Sequence, residues 1–460
     1  MRINIAEHAY ALNSLPVSAQ RCVNLYYEPA GEETKTQGAL YGTPGLKIFA
    51  SIGSGRIWGM HVMSGVLYVV SGDNVYTVTS DGGANDLGAI GTVSNVVMMD
   101  NNGTNVIITK EEGDGWLATA STLVQITDGD FPSVTSVAVL DSYAIYTKKA
   151  TTQYILSDLN DAASYNAARI ASAEESPDLL VRAFANHGEL WLFGELTTEV
   201  HENTGTGDFP FVPQQNAAMQ RGCGAKRSVA AEDNTLFWLG EDRIVYRADG
   251  YTPKRVSTFA IEKAMQDYTT VSDAEAFIYT QDGHKHYVLT FPTELETWVF
   301  DIATDKWHQR QSFEEGRWRA TGHAFVFSKN LVGDFETGKI YELDLKKYTD
   351  NGTTIQRINT FPIVHNDDKL ITFSNFKVDF DSGVGLTTGQ GSDPQCMMRF
   401  SNNGGISFGS ELWRGIGKIG KYLTRSVWKK CGAARQRVFE IKITDPVKVV
   451  ITAAYINEPD

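Results

Sequence analysis

At 460 residues the chain exceeds what one hydrophobic core usually serves, so one large domain with an appendage is expected. Aromatics at 11 %, hydrophobics at 42 %, and 42 Gly against 13 Pro exclude a disordered or collagen-like chain and suit turn-rich all-β structure. A formal charge of −14 argues against wrapping nucleic acid over a broad surface, because affinity for phosphate comes mainly from cationic side chains.

Residues 1–13 lack an apolar signal-peptide core, and no run of 18 apolar residues occurs, so cytosolic synthesis without a membrane span is expected. Residues 1–44 show weak periodicity and read as an N-terminal arm whose packing partner stays open. Beyond them a strand, tight turn, strand unit recurs seven times. Its apolar runs begin at Leu67, Val106, Ala144, Leu190, Leu236, Tyr287 and Leu331, spaced 39, 38, 46, 46, 51 and 44 residues apart. Such a period, with β-branched and aromatic strands broken by Gly, Asp and Asn turns, predicts a β-propeller of about seven blades over residues 45–364. The apolar runs are taken as inner strands, the second unit opening on a strand over residues 93–99. Helical spacing predicts one inserted helix at Ser257 to Tyr268.

A ring of blades must close. The segment Gly45 to Ala50 is placed to complete the seventh blade beside residues 339–343, with Thr354 to Thr360 as the competing closing strand. After Val364 the repeat stops, His365 to Asp368 reads as a linker, and alternation resumes in five segments. A smaller appended β domain over residues 365–460, a docking platform, fits them.

Candidate chemistry is sparse. His284 and His286 share a face of one strand, but zinc needs a third ligand and none stands at a telling spacing, so they read as ordinary strand histidines. Asp208, Asp242, Asp301 and Asp334 fall in turns, where carboxylates usually bind backbone amides rather than flank a sugar bond. Ser401 to Phe408 looks like the Asp-box turn of sialidases, with Asn403 in the Asp place, and serves as a hairpin. The glycines of residues 53–59 and 415–418 do not match a phosphate-cradling loop. Cys22, Cys223, Cys396 and Cys431 are too scattered for a metal site or a disulfide framework. No catalytic residue, metal or cofactor is assigned.

The one concentrated feature is basic. From Leu412 to Lys442 nine Lys or Arg face only Glu440, a local +8 that leaves the remainder at −22. Trp413, Arg414, Lys418, Lys421, Arg425, Trp428, Lys429, Lys430, Arg435 and Arg437 form the candidate partner or phosphate interface; the alternative is a solvated face.

Two end segments then carry a resemblance. Leu15-Pro16, the run Arg21 to Glu28, and Thr43 to Leu46 near the start, with Val427 to Gly432, Arg435, Arg437, Phe439, Ile441 to Thr444 and Pro446-Val447 near the end, resemble the tail-hub or nozzle proteins of short-tailed bacteriophages, also called packaged-DNA stabilisation proteins. The likeness runs in order over nearly the whole chain and is diffuse between the ends. It implies a non-enzymatic virion protein of the tail, made in the host cytoplasm. It further implies a homo-hexameric ring below the portal and its adaptor ring, extending the channel for packaged double-stranded DNA, retaining that DNA until ejection, and meeting a tail needle, fibres or spikes. The competing readings are a carbohydrate-binding or glycan-cleaving tail propeller and a generic scaffold for protein partners.

Overall fold

The computed structural model describes residues 1–5, 7–31, 34, 36–94, 97–110, 113–173 and 176–458. Seven four-stranded antiparallel meanders succeed one another in chain order. Their first strands, Ile57–Met63, Val97–Asn101, Val134–Leu140, Leu180–Asn186, Ala230–Glu232, Glu275–Gln281 and Ala320–Val326, surround the axis of a propeller, and we number the blades one to seven accordingly. Of the strand expected over residues 93–99, Val97 to Met99 lie in the first strand of blade two, and Asn95 and Val96 lie outside the described residues.

The repeating apolar runs are second strands, which corrects their assignment to the axis. Val66–Ser71, Val106–Lys110, Tyr143–Lys148, Glu189–Gly194, Thr235–Leu239, His284–Phe291 and Lys329–Asp334 each have a neighbour on both edges and a blade against both faces. A strand covered on every side reads as a continuous apolar run, whereas a strand on the axis keeps one partly wet face. In six blades the hairpin joining first to second strand has two residues at positive φ: Ser64-Gly65, Asp141-Ser142, His187-Gly188, Asp233-Asn234, Asp282-Gly283 and Phe327-Ser328. That is the mirror-image turn whose twist matches paired strands.

Seven apolar clusters fill the gaps between adjacent blades. The ring closes through Gly45–Ser51, which pairs antiparallel with Lys339–Asp344 as the fourth strand of blade seven. The competing segment divides: Thr354 belongs to the hairpin of Thr349–Asp350 with Thr353–Thr354 that extends the blade-seven sheet beyond Gly45–Ser51, while Arg357–Thr360 pairs with Cys22–Val23 on one side and Gln436–Ile443 on the other.

Most of the remaining strands form a two-layered sandwich. One layer runs Ser426–Lys429, Asn375–Phe380, Val450–Ile456, Gly38–Gly42 and Leu25–Pro29, with Arg2–Ile3 also on Val450–Ile456. The other runs Cys22–Val23, Arg357–Thr360, Gln436–Ile443, Gln395–Ser401 and Leu412–Gly415, and it continues blade six, because Gln309 of Lys306–Gln309 pairs with Val23. Phe376 and Phe439 stack between the layers at 4.2 Å. Strands from the first 44 residues thus lie in both layers. One continuous core joins Phe237, Phe300 and Trp307 of the propeller to Phe361, Phe376 and Trp428 of the sandwich, so the two parts share strands and buried apolar surface.

The helix Phe259–Asp267 follows blade five and buries Ile261 and Met265 in that same core. Thr258, at its N-terminus, makes no side-chain capping bond; Ser257 instead donates its hydroxyl to Glu262 at 2.6 Å. Among the described residues no helix is long and apolar enough to cross a membrane.

Candidate functional site

Leu412–Gly415 and Ser426–Lys429 are edge strands of opposite sandwich layers, and residues 416–425 connect them across the rim. The connection is anchored at both ends. Ile416 is buried and its N–H donates to Pro394 O at 2.8 Å; the Ser426 hydroxyl donates to Gly415 O at 2.9 Å. Arg414 Nε donates to Val427 O at 2.9 Å and Trp428 Nε1 to Leu412 O at 2.7 Å, lacing the two edges together. In between, Lys421 N–H donates back to Lys418 O at 2.9 Å, and the Ser382 hydroxyl donates to Tyr422 O at 2.7 Å. Gly383, at φ +82°, lies under the Tyr422 ring where a side chain would collide with it.

This anchoring holds the loop tip out from the body. Leu423 is 94 % and Tyr422 72 % exposed, with Ile419 and Trp413 also more than half exposed. Lys418, Lys421 and Arg425 project from the same ten residues. Lys418 meets Asp393 at 3.2 Å, a solvent-exposed pair that contributes at most about 1 kcal/mol. The structure therefore places Lys418, Lys421 and Arg425 on the connecting loop, and Trp413 and Arg414 on the edge strand laced to Ser426–Lys429. Lys429 and Lys430 are exposed at the C-terminal end of that second strand, and the exposed Arg435 meets Asp368.

Two residues of the predicted interface face inward and are removed from it: Trp428 and Arg437 are each 1 % exposed. Trp428 packs on Phe376 in the core. The Arg437 guanidinium lies over Phe400 at 4.1 Å and Phe373 at 4.3 Å, donates through Nε to Asn402 Oδ1 at 2.8 Å, and also bonds Cys431 O. Burial lowers its pKa, and the four contacts compensate part of the cost of a charge in the core. Period-two alternation carried the signal for Trp428, which must face away from Lys429 on a strand. No such signal marked Leu412, Ile419, Tyr422 and Leu423, the exposed apolar residues that the sequence reading omitted.

The other candidates resolve into packing and turns. Asp301 accepts the Ala303 amide at 3.1 Å, the Thr304 hydroxyl at 2.7 Å and His284 Nδ1 at 2.7 Å. Asp334 accepts the amides of Glu336 and Thr337 and the Tyr341 hydroxyl, and Asp242 accepts the Ile244 amide and the Tyr246 hydroxyl. Asp208 is on an exposed loop. His284 and His286 stack parallel at 5.9 Å under the edge of Tyr26. Among the described residues no group of three His, Cys, Asp or Glu is placed to hold a metal ion. In the turn from Ser401, Asn403 Oδ1 accepts the Ser407 amide at 3.0 Å, and Gly404 and Gly405 both have positive φ. The four cysteines are buried and unpaired.

Comparison with known proteins accords with this two-part architecture. The family model "Bacteriophage P22 Gp10, beta-propeller" matches residues 1–348, and "Bacteriophage P22 Gp10, beta-sandwich" matches residues 356–458. No curated protein matches the chain. Solved structures similar to it include the computationally designed Ika8 protein, at 10 % identity and a TM-score of 0.42 over 65 % of this chain and 99 % of that one. The Neurospora crassa Pan2 WD40 domain is another, at 7 % identity and 0.43 over 66 % and 95 %. With both family models matched in order along nearly all its length, the chain belongs to the Bacteriophage P22 Gp10 family, the tail-hub proteins of short-tailed phages, and is a structural component of the virion tail.

Proposed function

We propose that this tail protein assembles as a homo-hexameric ring that extends the DNA channel below the portal and adaptor rings and retains packaged DNA until ejection, with a tail needle, fibres or spikes on its far side. In this reading residues 45–364 form the wall, and residues 365–460 with the arm of residues 1–44 form the docking platform. The observation that carries it is the segregation of charge. A rim loop presents Lys418, Lys421 and Arg425 beside Ile419, Tyr422 and Leu423, while the sequence outside residues 412–442 carries −22.

An acidic wall lets phosphate pass without gripping it, and an exposed apolar and cationic loop suits a protein surface of opposite charge. The propeller's own bore is bridged by side chains: Arg227 Nη2 donates to Trp58 O at 3.1 Å across the axis, and the Thr321 hydroxyl donates to Glu275 at 2.6 Å. A passage for a duplex is thus left to the centre of a ring of subunits, which needs a heterologous interface that closes by rotation. The turn roles of Asp242, Asp301 and Asp334 favour a protein without catalysis over the glycan-cleaving alternative.

The test is electron microscopy of the chain mixed with its portal and adaptor complex. Six-fold density added below the adaptor is expected for the parent. A variant carrying Lys418→Glu, Lys421→Glu and Arg425→Glu, with unchanged melting, is expected to lose attachment. Attachment undiminished in that variant would remove the loop from the docking surface, and particles without six-fold density would remove the ring.

A further inference from the structure

Two exposed features of the chain match each other chemically and do not meet within one subunit. The first is the tip of the rim loop, where Ile419, Tyr422 and Leu423 stand out in solvent. Large apolar side chains grouped in water mark an interaction surface. Of the cations beside them, Lys418 is already matched by Asp393, which leaves Lys421 and Arg425 without an ion-pair partner among the described residues. The tip is therefore apolar, with uncompensated positive charge at its flanks.

The second feature is a face of the propeller. At the end of the axis where the first strands finish, Asp141-Ser142 turns the chain between the first two strands of blade three, Leu159-Asn160 between its last two, and residues 204–210 between the last two of blade four. Hydrogen bonds join these turns: Asn160 N–H donates to Ser142 O at 3.0 Å, and Asn203 Nδ2 to Asp141 Oδ2 at 2.9 Å. Leu159 is 54 % exposed on this face. Residues 140–143, 157–162 and 202–211 hold five Asp or Glu and no Lys or Arg. Asp158 is matched by Arg169, while Asp141, Asp161, Glu202 and Asp208 are exposed and have no ion-pair partner among the described residues. Like charges gathered on one surface repel one another, so cations brought to this face relieve it. The propeller thus offers an apolar side chain among carboxylates, the counterpart of the loop tip.

Leu423 and Leu159 both remain in solvent in the isolated chain, so a subunit does not cover its own loop with its own propeller. A tip on the sandwich that fits a face on the propeller makes a head-to-tail contact, the kind that closes a ring of identical subunits. We propose that the partner of the rim loop is a second copy of this chain: Tyr422 and Leu423 of one subunit pack over Leu159 of the next, and Lys421 and Arg425 lie against Asp141, Asp161, Glu202 and Asp208. The contact rests on the ring proposed above and supplies its heterologous interface. Burial of the apolar tip provides affinity, and the opposed charges set register and speed encounter. Hydrogen bonds of Ile416 with Pro394 and of Tyr422 with Ser382 already hold the loop in shape, so little conformational freedom is lost on docking.

The experiment mixes the full chain with its portal and adaptor complex and counts six-fold particles by electron microscopy, for the parent and for two variants of unchanged melting temperature. One carries Lys421→Glu and Arg425→Glu on the loop; the other carries Glu202→Lys and Asp208→Lys on the propeller face. Each alone is expected to form rings roughly tenfold less often, since its copies oppose like charges. An equimolar mixture of the two is expected to restore them, because acidic loops then meet basic faces, and basic loops acidic faces, around an alternating ring. Leu423→Ser is expected to lower ring formation without reversing charge, and it carries the test should either charge variant melt early. Rings from the face variant as frequent as the parent's overturn the contact and leave the ring standing, as does a mixture that stays unassembled or a Leu423→Ser protein that assembles fully. A parent without six-fold particles overturns the ring itself, and the contact with it.

Discussion

Lys47 and Glu342, 295 residues apart in the chain, stand opposite each other in the ladder that closes the propeller, with their charged groups 3.3 Å apart. The pair marks the seam but does not hold it: Lys47 is half exposed, and such pairs contribute at most about 1 kcal/mol. Leu46, the neighbouring closing-strand residue, is fully buried with Val299, Val332 and Tyr341 in the cluster between blades six and seven.

Closure is therefore expected to respond to the apolar residue and not to the ion pair. Leu46→Ala should lower the unfolding free energy by about 2–5 kcal/mol, and Lys47→Ala by less than about 1 kcal/mol. Urea denaturation of both variants decides it. Equal losses would show that the seam is electrostatic.

Buried histidines make the fold acid-sensitive. Burial first, then the nearby His308, keeps His286 well below its ordinary pKa, and burial with Arg310 holds His308 at about 3. His61 and His323 are lowered to about 4 by burial. For each, the unfolded chain binds the proton more readily, so stability is whole above pH 6.5 and falls as pH drops from there toward 3 to 4. His8, also lowered by burial, acts in the same direction. His284, raised by its bond to Asp301, and the carboxyls of Asp100, raised to about 6, Asp350, Glu241 and Glu315, all raised by burial, oppose it, being better accommodated in their protonated forms. Between pH 7 and 5 the change is dominated by imidazoles that stay neutral in the fold and take up protons in the unfolded chain, so the urea midpoint is expected to be lower at pH 5 than at pH 7. Glu275, pushed up by burial but held at about 2 by Arg227, Arg56 and Arg317, does not enter, since its stabilisation is lost only below about 4.5. An equal or higher midpoint at pH 5 would contradict the assignment.

Arg437 and the rim cations should separate cleanly. Arg437→Ala removes a buried guanidinium from between two phenylalanine rings and strands the Asn402 and Cys431 acceptors, costing roughly 3 kcal/mol or more. Single Ala substitutions at Lys421 or Arg425 are expected to stay within about 0.5 kcal/mol, as at other exposed positions. Thermal melts of the three variants test this, and a destabilised Lys421→Ala protein would mean that the loop cation is structural.

The thiols should be inert in the folded chain. Burial pushes Cys22 up to about 12 and raises Cys223, Cys396 and Cys431, so little nucleophilic thiolate forms and access is closed. A thiol-specific chromogenic reagent is expected to react only after denaturant is added. Prompt reaction of any thiol in buffer would show an open route to the core.

What could be read without coordinates was whatever rests on local pattern. The seven apolar runs are legible because a strand enclosed by neighbours has to be apolar throughout, and their turns because two consecutive residues at positive φ favour Asn, Asp, Ser and Gly. The cationic cluster between Leu412 and Lys442 is legible because charge is additive along a chain. Alternation along Ser426–Lys429 already separates Lys429 from Trp428, but the burial of Arg437 among aromatic rings was not legible, since it depends on packing against Phe373 and Phe400.

Pairings between distant segments required the tertiary structure. Nothing local to Arg2–Ile3, Leu25–Pro29 or Gly38–Gly42 says that these strands belong beside Val450–Ile456, and nothing local to Val23 ties it to Gln309 and Ile358. The gathering of Asp141, Leu159 and Asp208 on one face follows only once blades three and four stand side by side. Composition and periodicity act over a few residues and so determine strands, turns and the repeat; the choice of partner across hundreds of residues is made by the burial that the whole assembly of sheets achieves at once, which no single segment encodes.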